Sequence, residues 1–542
     1  MRISRLGTPS SIALRWVILI SVGLGLTLQC GCRHFRRTEA PLNFLVSFPE
    51  SVREEALTAR VLVFLSQSKN PEPRHAVSIF NPQPVFARDV EDLSPGEEVV
   101  FEPSDFQDPD ALAFPKAMDR LTSGVYYAQA LFDMDQTIGS YSDGPGNLIT
   151  PVKKVRIHRS GGGTIKLIAD RLVESDEPED TEWVKLVETR SERLSQFHGR
   201  DMTLRAGVIL PVGYTDNEER YPVVYEIPGF GGRHHEAWTK MDDEFGEQWK
   251  GDDFPLKAFW VVLDPELATG HCLFADSANN GPVGAALTQE LMPEIERRFR
   301  IIRRPEARLL RGHSSGGWSA LWLQINYPDL FGGCWSLAPD PVDFRAFQLI
   351  NIYEDESAYW DGNGFPRPSM RIQGEIRVTI RDENRLEYVT GPGGQWQSWF
   401  AVFGPKAPDG LPIPLWDPLA GEIDPQIAES WKAYDIRMKL EENWNHLGHR
   451  LKGKLHILCG YEDSFYLNRA VKHLSKFLDQ AGHDSVEFLP GGHGSFLTKR
   501  IRLRILEEMA KHFECMQPSP SKSFKFQTFP YSLNARMPSI SD

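Results

Sequence analysis

The sequence predicts an α/β domain built on a mostly parallel sheet, interrupted by an inserted cap and preceded by a β-sandwich-like domain. Three observations carry this. Short apolar runs separated by turn-rich stretches recur over residues 42–172, the spacing of an all-β sandwich. From 184 onward, apolar runs of strand length alternate with stretches of helical period, the pattern of a parallel sheet with crossover helices. Residues 341–450 break that alternation over a length that connecting loops do not reach.

The first element is an export signal at residues 1–31. Arg2, Arg5 and Arg15 precede the apolar run Trp16–Leu28, which is too short for a comfortable membrane span. The expected location is exported: periplasmic, cell-surface or secreted. Gln29-Cys30-Gly31-Cys32 follows, and membrane attachment through a lipidated Cys32 or Cys30 is the partner this segment suggests. An uncleaved anchor helix is the alternative.

The β-rich part shows apolar runs at 59–64, 98–101, 124–130, 154–157 and 164–168. An acidic run, Glu174-Ser175-Asp176-Glu177-Pro178-Glu179-Asp180, marks a linker at 173–183, expected to be a solvated loop. The α/β domain covers 184–515. Its expected strands lie at 204–210, 222–227, 259–263, 308–311, 333–338, 454–459 and 486–489. Its expected helices lie at 283–299, 318–325, 467–478 and 501–513. The Ser/Pro-rich tail 516–542 reads as disordered.

Composition narrows the function. Lys and Arg total 60 against 74 Asp and Glu, for a net charge of −14, the wrong sign for a nucleic-acid binder. Six cysteines without a CxxC pair exclude a disulfide scaffold and argue against structural zinc. Cys334 and Cys459 sit in apolar runs and are expected to be buried thiols. No metal and no organic cofactor is expected.

The chemistry concentrates in Gly312-His313-Ser314-Ser315-Gly316. This G-x-S-x-G follows a strand and opens a helix, and a turn that tight needs small flanking residues and lifts the Ser314 hydroxyl above the sheet edge. A serine needs an imidazole to take its proton and a carboxylate to orient that imidazole. On this architecture the chain order is serine, acid, histidine. His493 lies between glycines just after the last strand. Asp463, after the strand ending at Gly460, is the chosen acid, with neighbouring Glu462 and Asp340 as alternatives. Two backbone N–H groups are needed for the oxyanion. Ser315 follows the nucleophile, and Phe230 lies in the glycine loop Ile227-Pro228-Gly229-Phe230-Gly231-Gly232. Asn280 is a candidate substrate contact or a turn residue. His234 and His235 read as solvated or pocket-lining, because adjacent residues rarely converge on one ion.

With these motifs, and with Val208–Tyr214 and Tyr221–Tyr225, the chain resembles the putative esterase family of α/β-hydrolases over residues 190–515. That group includes feruloyl esterases, S-formylglutathione hydrolase and enterochelin esterases. One departure is Pro228, where such enzymes often carry a histidine before the glycine. The resemblance implies an α/β-hydrolase fold and a serine hydrolase acting through an acyl-enzyme on a small-molecule or carbohydrate ester. The alternatives are an acyltransferase or serine peptidase on the same triad, or a glycan- or protein-binding protein with a degenerate hydrolase core. The aromatic cap is expected to stack an aromatic acid or sugar ring, or to form its own core. Oligomeric state and natural ester are not legible.

Overall fold

The computed structural model describes residues 41–106, 111–135, 137–158, 161–251 and 254–515. The export segment and the tail lie outside the described residues.

The main sheet has eight strands: β1 (Val184–Arg190), β2 (Thr203–Ile209), β3 (Val223–Ile227), β4 (Phe259–Leu263), β5 (Arg308–His313), β6 (Gly333–Leu337), β7 (Leu455–Gly460) and β8 (Val486–Leu489). Their spatial order is β1-β2-β4-β3-β5-β6-β7-β8. Only β2 runs against its neighbours, and β4 through β8 pair in parallel. β3, β4 and β6 are buried at every position, as a sheet covered on both faces requires. This is the order and direction of an α/β-hydrolase sheet. Helices 315–326, 468–480 and 499–515 follow β5, β7 and β8. In the second, Ala470, Val471, Leu474 and Leu478 form the buried stripe. β1 escaped sequence detection because its Val184-Lys185-Leu186-Val187-Glu188 pattern is mostly half-exposed at the sheet edge.

The front part consists of two packed sheets. A large sheet runs in the order 171–172, 148–149, 124–133, 57–66, 85–93, 113–114, with 153–157 also pairing to 124–133. A small one runs 99–101, 43–47, 164–168. Between them lie Phe44, Val46, Phe101, Ile165 and Leu167 against Val61, Val63, Leu65, Ala130 and Phe132. The strand 85–93 is not legible from hydrophobicity because Arg88, Asp89, Glu91 and Asp92 interrupt it.

The large sheet has a second apolar face, and this one joins the front part to the cap. Leu62, Phe64, Val85, Ala87, Leu131 and Ile149 pack with Val389 and Leu386 of the cap helix 380–390. Arg60 Nη1 donates to the Tyr388 carbonyl at 2.9 Å, and Arg385 donates to the Ala111 carbonyl. Two-sided burial of strand 57–66 thus has a cause: one face serves the sandwich and the other the cap.

The cap lies between β6 and β7. Trp396, Trp416 and Trp431 are almost wholly buried, and with Phe347, Phe400 and Phe403 they form an edge-to-face cluster. These aromatics form the core expected of the cap, while Trp399 also lines the cavity that holds Ser314. The acidic linker is the exposed loop expected, with Glu174, Ser175, Asp176, Glu179 and Asp180 in solvent, but it is tethered. Trp238 Nε1 donates to the Glu179 carbonyl at 2.8 Å and the Leu186 N–H donates to Asp180 at 2.8 Å. Cys272, Cys334 and Cys459 are buried free thiols, and burial pushes the first two up to about 12. Among the described residues no helix is long and apolar enough to cross a membrane.

Candidate active site

Ser314 sits at the β5-to-helix turn with φ 59° and ψ −123°, a backbone conformation that a residue with a side chain rarely adopts. Neighbouring chains hold it there. Its N–H donates to the Leu337 carbonyl at 2.9 Å, and its carbonyl accepts from Trp318 at 3.0 Å and Asp340 at 3.2 Å. The two glycines of the motif are dictated by contact. A Cβ on Gly312 would lie 2.0 Å from the Gly316 carbonyl oxygen, and one on Gly316 would lie 2.0 Å from that of Ile227.

His493 is carried by the loop after β8. Its Nδ1 is 2.8 Å from Oδ2 of Asp463, which is fully buried. The other oxygen of Asp463 accepts from the N–H groups of Phe465 at 2.9 Å and Leu467 at 3.2 Å. The carboxylate is therefore fixed before it meets the imidazole. Phe465 packs edge-on against the His493 ring, with centroids 5.0 Å apart. Glu462 is exposed and its N–H donates to Gly491, so it does not take the acid's place.

Asp340 occupies a different position. The Ser314 hydroxyl donates to its Oδ1 at 3.3 Å. Ser315 Oγ and Trp399 Nε1 donate to its Oδ2 at 2.6 and 3.0 Å. Burial pushes this carboxyl up to about 6, against the hydrogen bonds and the charge of His493. Asp340 thus contacts the Ser314 hydroxyl, whereas Asp463 contacts the His493 imidazole.

His313, inside the serine motif, braces the His493 loop. Its Nε2 donates to the His493 carbonyl at 2.9 Å. Burial, then the neighbouring His493, lowers it to about 4, so it is a neutral donor at ordinary pH. Only its burial beside the distant loop discloses this.

The glycine loop after β3 presses onto the nucleophile turn. A Cβ on Gly229 would lie 3.2 Å from the His313 carbonyl oxygen and 3.5 Å from Ser314 Cβ. Gly232 N–H closes the turn onto Gly229 at 3.0 Å. Pro228 is held from behind: His271 Nε2 donates to the Pro228 carbonyl at 3.0 Å and its Nδ1 accepts from Leu273. Burial holds His271 down at about 4, in keeping with a single N–H on the ring. Phe230 is exposed and lines the same cavity as Ser314. Ser315 opens the helix, and the N–H groups of a first helical turn have no partner within the helix.

That cavity measures about 830 Å³ and is lined by Ser314, His493, Asp340, Phe230, Trp399 and Phe465 among others. Asn280 is not in its lining. It is buried, its Oδ1 accepts from Thr269 at 2.7 Å, and its N–H donates to Ser277. The turn role is the one it fills, through the N–H bond to Ser277 within the 277–281 turn.

His234 is neither solvated nor pocket-lining but fully buried, between Asp264 at 2.7 Å and Glu177 at 2.8 Å. His235 reaches the same Glu177 oxygen at 3.3 Å and lines the cavity. These three ligand atoms lie close enough to hold an ion. The surroundings oppose a dication, since Arg205 and Arg233 stand 3.4 and 3.8 Å from the other Glu177 oxygen. Burial disfavours a charged His234, yet Asp264 and Glu177 raise it above the ordinary value. The group is an ion-paired staple that fixes the linker.

The model of the putative esterase family matches residues 279–496. No curated protein matches the sequence. Among solved structures, the chain is similar to an S-formylglutathione hydrolase from Agrobacterium tumefaciens. Identity is 15%, the match covers 62% of this chain and 98% of that one, and the TM-score is 0.36. It is also similar to a ferulic acid esterase from Anaeromyces mucronatus, at 16% identity over 63% and 95% of the two chains with a TM-score of 0.32. The stretch that matches this family model, residues 279–496, carries Ser314, Asp463 and His493.

Proposed function

We propose that the protein is a serine hydrolase that cleaves carboxylic esters through an acyl-enzyme. Ser314 attacks the ester carbonyl, and its proton passes to Nε2 of His493. Asp463 holds the imidazole with its proton on Nδ1 and stabilises the imidazolium. The N–H groups of Phe230 and Ser315 receive the oxyanion. His493 returns the proton to the departing alkoxide, then activates the water that releases the acid. In the structure the Ser314 hydroxyl donates to Asp340, so attack requires it to turn to His493 in the substrate complex. What carries the reading is the 2.8 Å contact between His493 and the fully buried Asp463 beside a serine in a strained turn.

Ser314→Ala is expected to abolish p-nitrophenyl acetate hydrolysis and fluorophosphonate labelling with an unchanged circular dichroism spectrum. Activity retained in that variant would refute the assignment. Export and lipid attachment belong to the same reading and rest on residues 1–32. Cys32→Ser should remove palmitate labelling from the expressed protein, and undiminished labelling would move the attachment to Cys30.

A further inference from the structure

We propose that the front domain supplies a substrate subsite, in which Ile79, Phe80 and Ile138 receive a bulky apolar group of the ester whose carbonyl Ser314 attacks. The proposal rests on the hydrolase reading above. The cavity that holds Ser314 and His493 is also lined by Ile79, Phe80, Ile138 and Pro145 of the front domain, and by Leu386 and Pro392 of the cap. These residues meet in one cavity although more than 200 positions separate Pro145 from Leu386.

Phe80 is 64% exposed, so the sandwich does not need its ring. It is presented nonetheless, at a turn closed by Ser78 and Asn81 through reciprocal backbone bonds of 3.3 and 3.0 Å. Asn81 Nδ2 anchors the turn to the Ala76 carbonyl at 3.2 Å. A large apolar side chain held over a cavity mouth, with solvent on one face, gains free energy when a ligand covers it.

The neighbouring segment 137–141 is equally fixed. The Asp135 carboxylate accepts from the N–H groups of Thr137 and Ile138 at 3.0 and 3.1 Å. Gly139 N–H donates across the domain boundary to Glu266 at 3.0 Å. Gly139 crosses two chains of the α/β domain with no space for a side chain: a Cβ there would lie 2.6 Å from Gly393 Cα and 2.8 Å from the Gly270 nitrogen. The front domain is therefore a preformed wall of the cavity.

At about 830 Å³, the cavity falls in the range that encloses a drug-sized ligand, roughly 300–1,000 Å³. An acetyl ester of a small alcohol needs only the part around Ser314. Asp143 in the same rim disfavours an anionic group there, and the apolar side chains favour hydrocarbon.

The test compares methyl acetate, methyl octanoate and octyl acetate in a pH-stat assay, with wild-type protein, Phe80→Ala and Phe80→Glu. The exposure of Phe80 makes both variants foldable. The expected result is a fall of about tenfold in kcat/KM for methyl octanoate, octyl acetate or both in Phe80→Ala, equivalent to about 1.4 kcal/mol. A larger fall is expected in Phe80→Glu, with methyl acetate within about twofold of wild type. The ester that responds shows whether the acyl or the alcohol side lies on the rim. Unchanged rates on both methyl octanoate and octyl acetate would overturn the proposal, and so would an equal fall on all three substrates. Wild-type protein that neither hydrolyses any ester nor takes a fluorophosphonate at Ser314 would instead overturn the hydrolase reading beneath it.

Discussion

The assignment of roles to two acidic residues is open to a direct test through Asp463→Asn. Asp463 is a pure acceptor in the fold. Two backbone N–H groups hold Oδ1, and Oδ2 faces Nδ1 of His493. An asparagine has one oxygen to offer. Turned toward His493, its NH2 would oppose the N–H groups of Phe465 and Leu467, two donors against a donor in a fully buried site. Turned the other way, its oxygen keeps both backbone bonds and its NH2 faces Nδ1. The second arrangement costs less, and it forces His493 to accept at Nδ1 and carry its proton on Nε2. That nitrogen can then no longer take the serine proton. The loss expected is about 10⁴ in kcat, or about 5.4 kcal/mol of barrier, as for other triads whose orienting acid becomes an amide. Stability should hardly move, because the backbone bonds survive. The assay is p-nitrophenyl acetate turnover at pH 8 with thermal unfolding as control, and with Asp340→Asn beside it. Asp340→Asn should cost less than about 100-fold, because the serine hydroxyl, not the imidazole, is its partner. Asp463→Asn retaining more than about a tenth of wild-type kcat, with Asp340→Asn nearly dead, would refute the reasoning and hand the role to Asp340.

Asp340 also makes a pH-dependent prediction. Its native carboxyl is raised from 3.8 to about 6, so the native state holds a proton that the unfolded chain has already released. Asp340 thus lowers stability fully above pH 6, and the penalty fades as pH falls toward 3.8. Relative to wild type, Asp340→Asn should gain roughly 2–3 kcal/mol more at pH 8 than at pH 4, read by urea unfolding; a gain independent of pH would contradict this. Glu177→Gln should destabilise by roughly 2 kcal/mol at pH 7 and expose the linker to proteolysis near 174–180, since it halves the charge on the staple. Burial works against the Glu177 charge, but hydrogen bonds from His234 and His235 hold its carboxyl far below the usual range. Its contribution is therefore present above pH 4.5 and shrinks as pH falls below that, so wild type and variant should converge in acid. His313→Ala should lower kcat about tenfold with little change in KM by loosening the His493 loop, and His313→Gln should recover most of it by restoring a donor. Equal loss in both variants would mean that packing, not the donated bond, is what matters.

Local signals made much of the α/β part legible. Buried strands such as 223–227 and 259–263 are continuous apolar runs, and the Ser314 turn is marked by glycines that contact makes necessary. The His493–Asp463 pairing is legible as chain order on a known architecture, though the contact itself is not. What the sequence hid depends on long-range burial. Nothing local reveals that His271 bonds the Pro228 carbonyl, or that His313 holds a loop 180 residues away. The acidic run 174–180 has the composition of solvated chain, yet Glu177 finds His234 only once β3 and the linker are together. Asn280 misled for a related reason. Its position after a strand on the active-site side suggested a ligand, but its N–H closes onto Ser277 and its side-chain oxygen onto Thr269, away from the cavity.

The crossing of Gly139 over Gly270 and Gly393 bears on how the gene can be cut. A truncation starting near residue 184 keeps Ser314, Asp463 and His493, and looks like a minimal catalyst on paper. It would strip the cover from Leu386 and Val389 and leave the cap with an oily flank facing water. Such a fragment should clump or bind detergent. For expression or for domain-swap engineering, the smallest exchangeable piece therefore begins at the first strand of the sandwich.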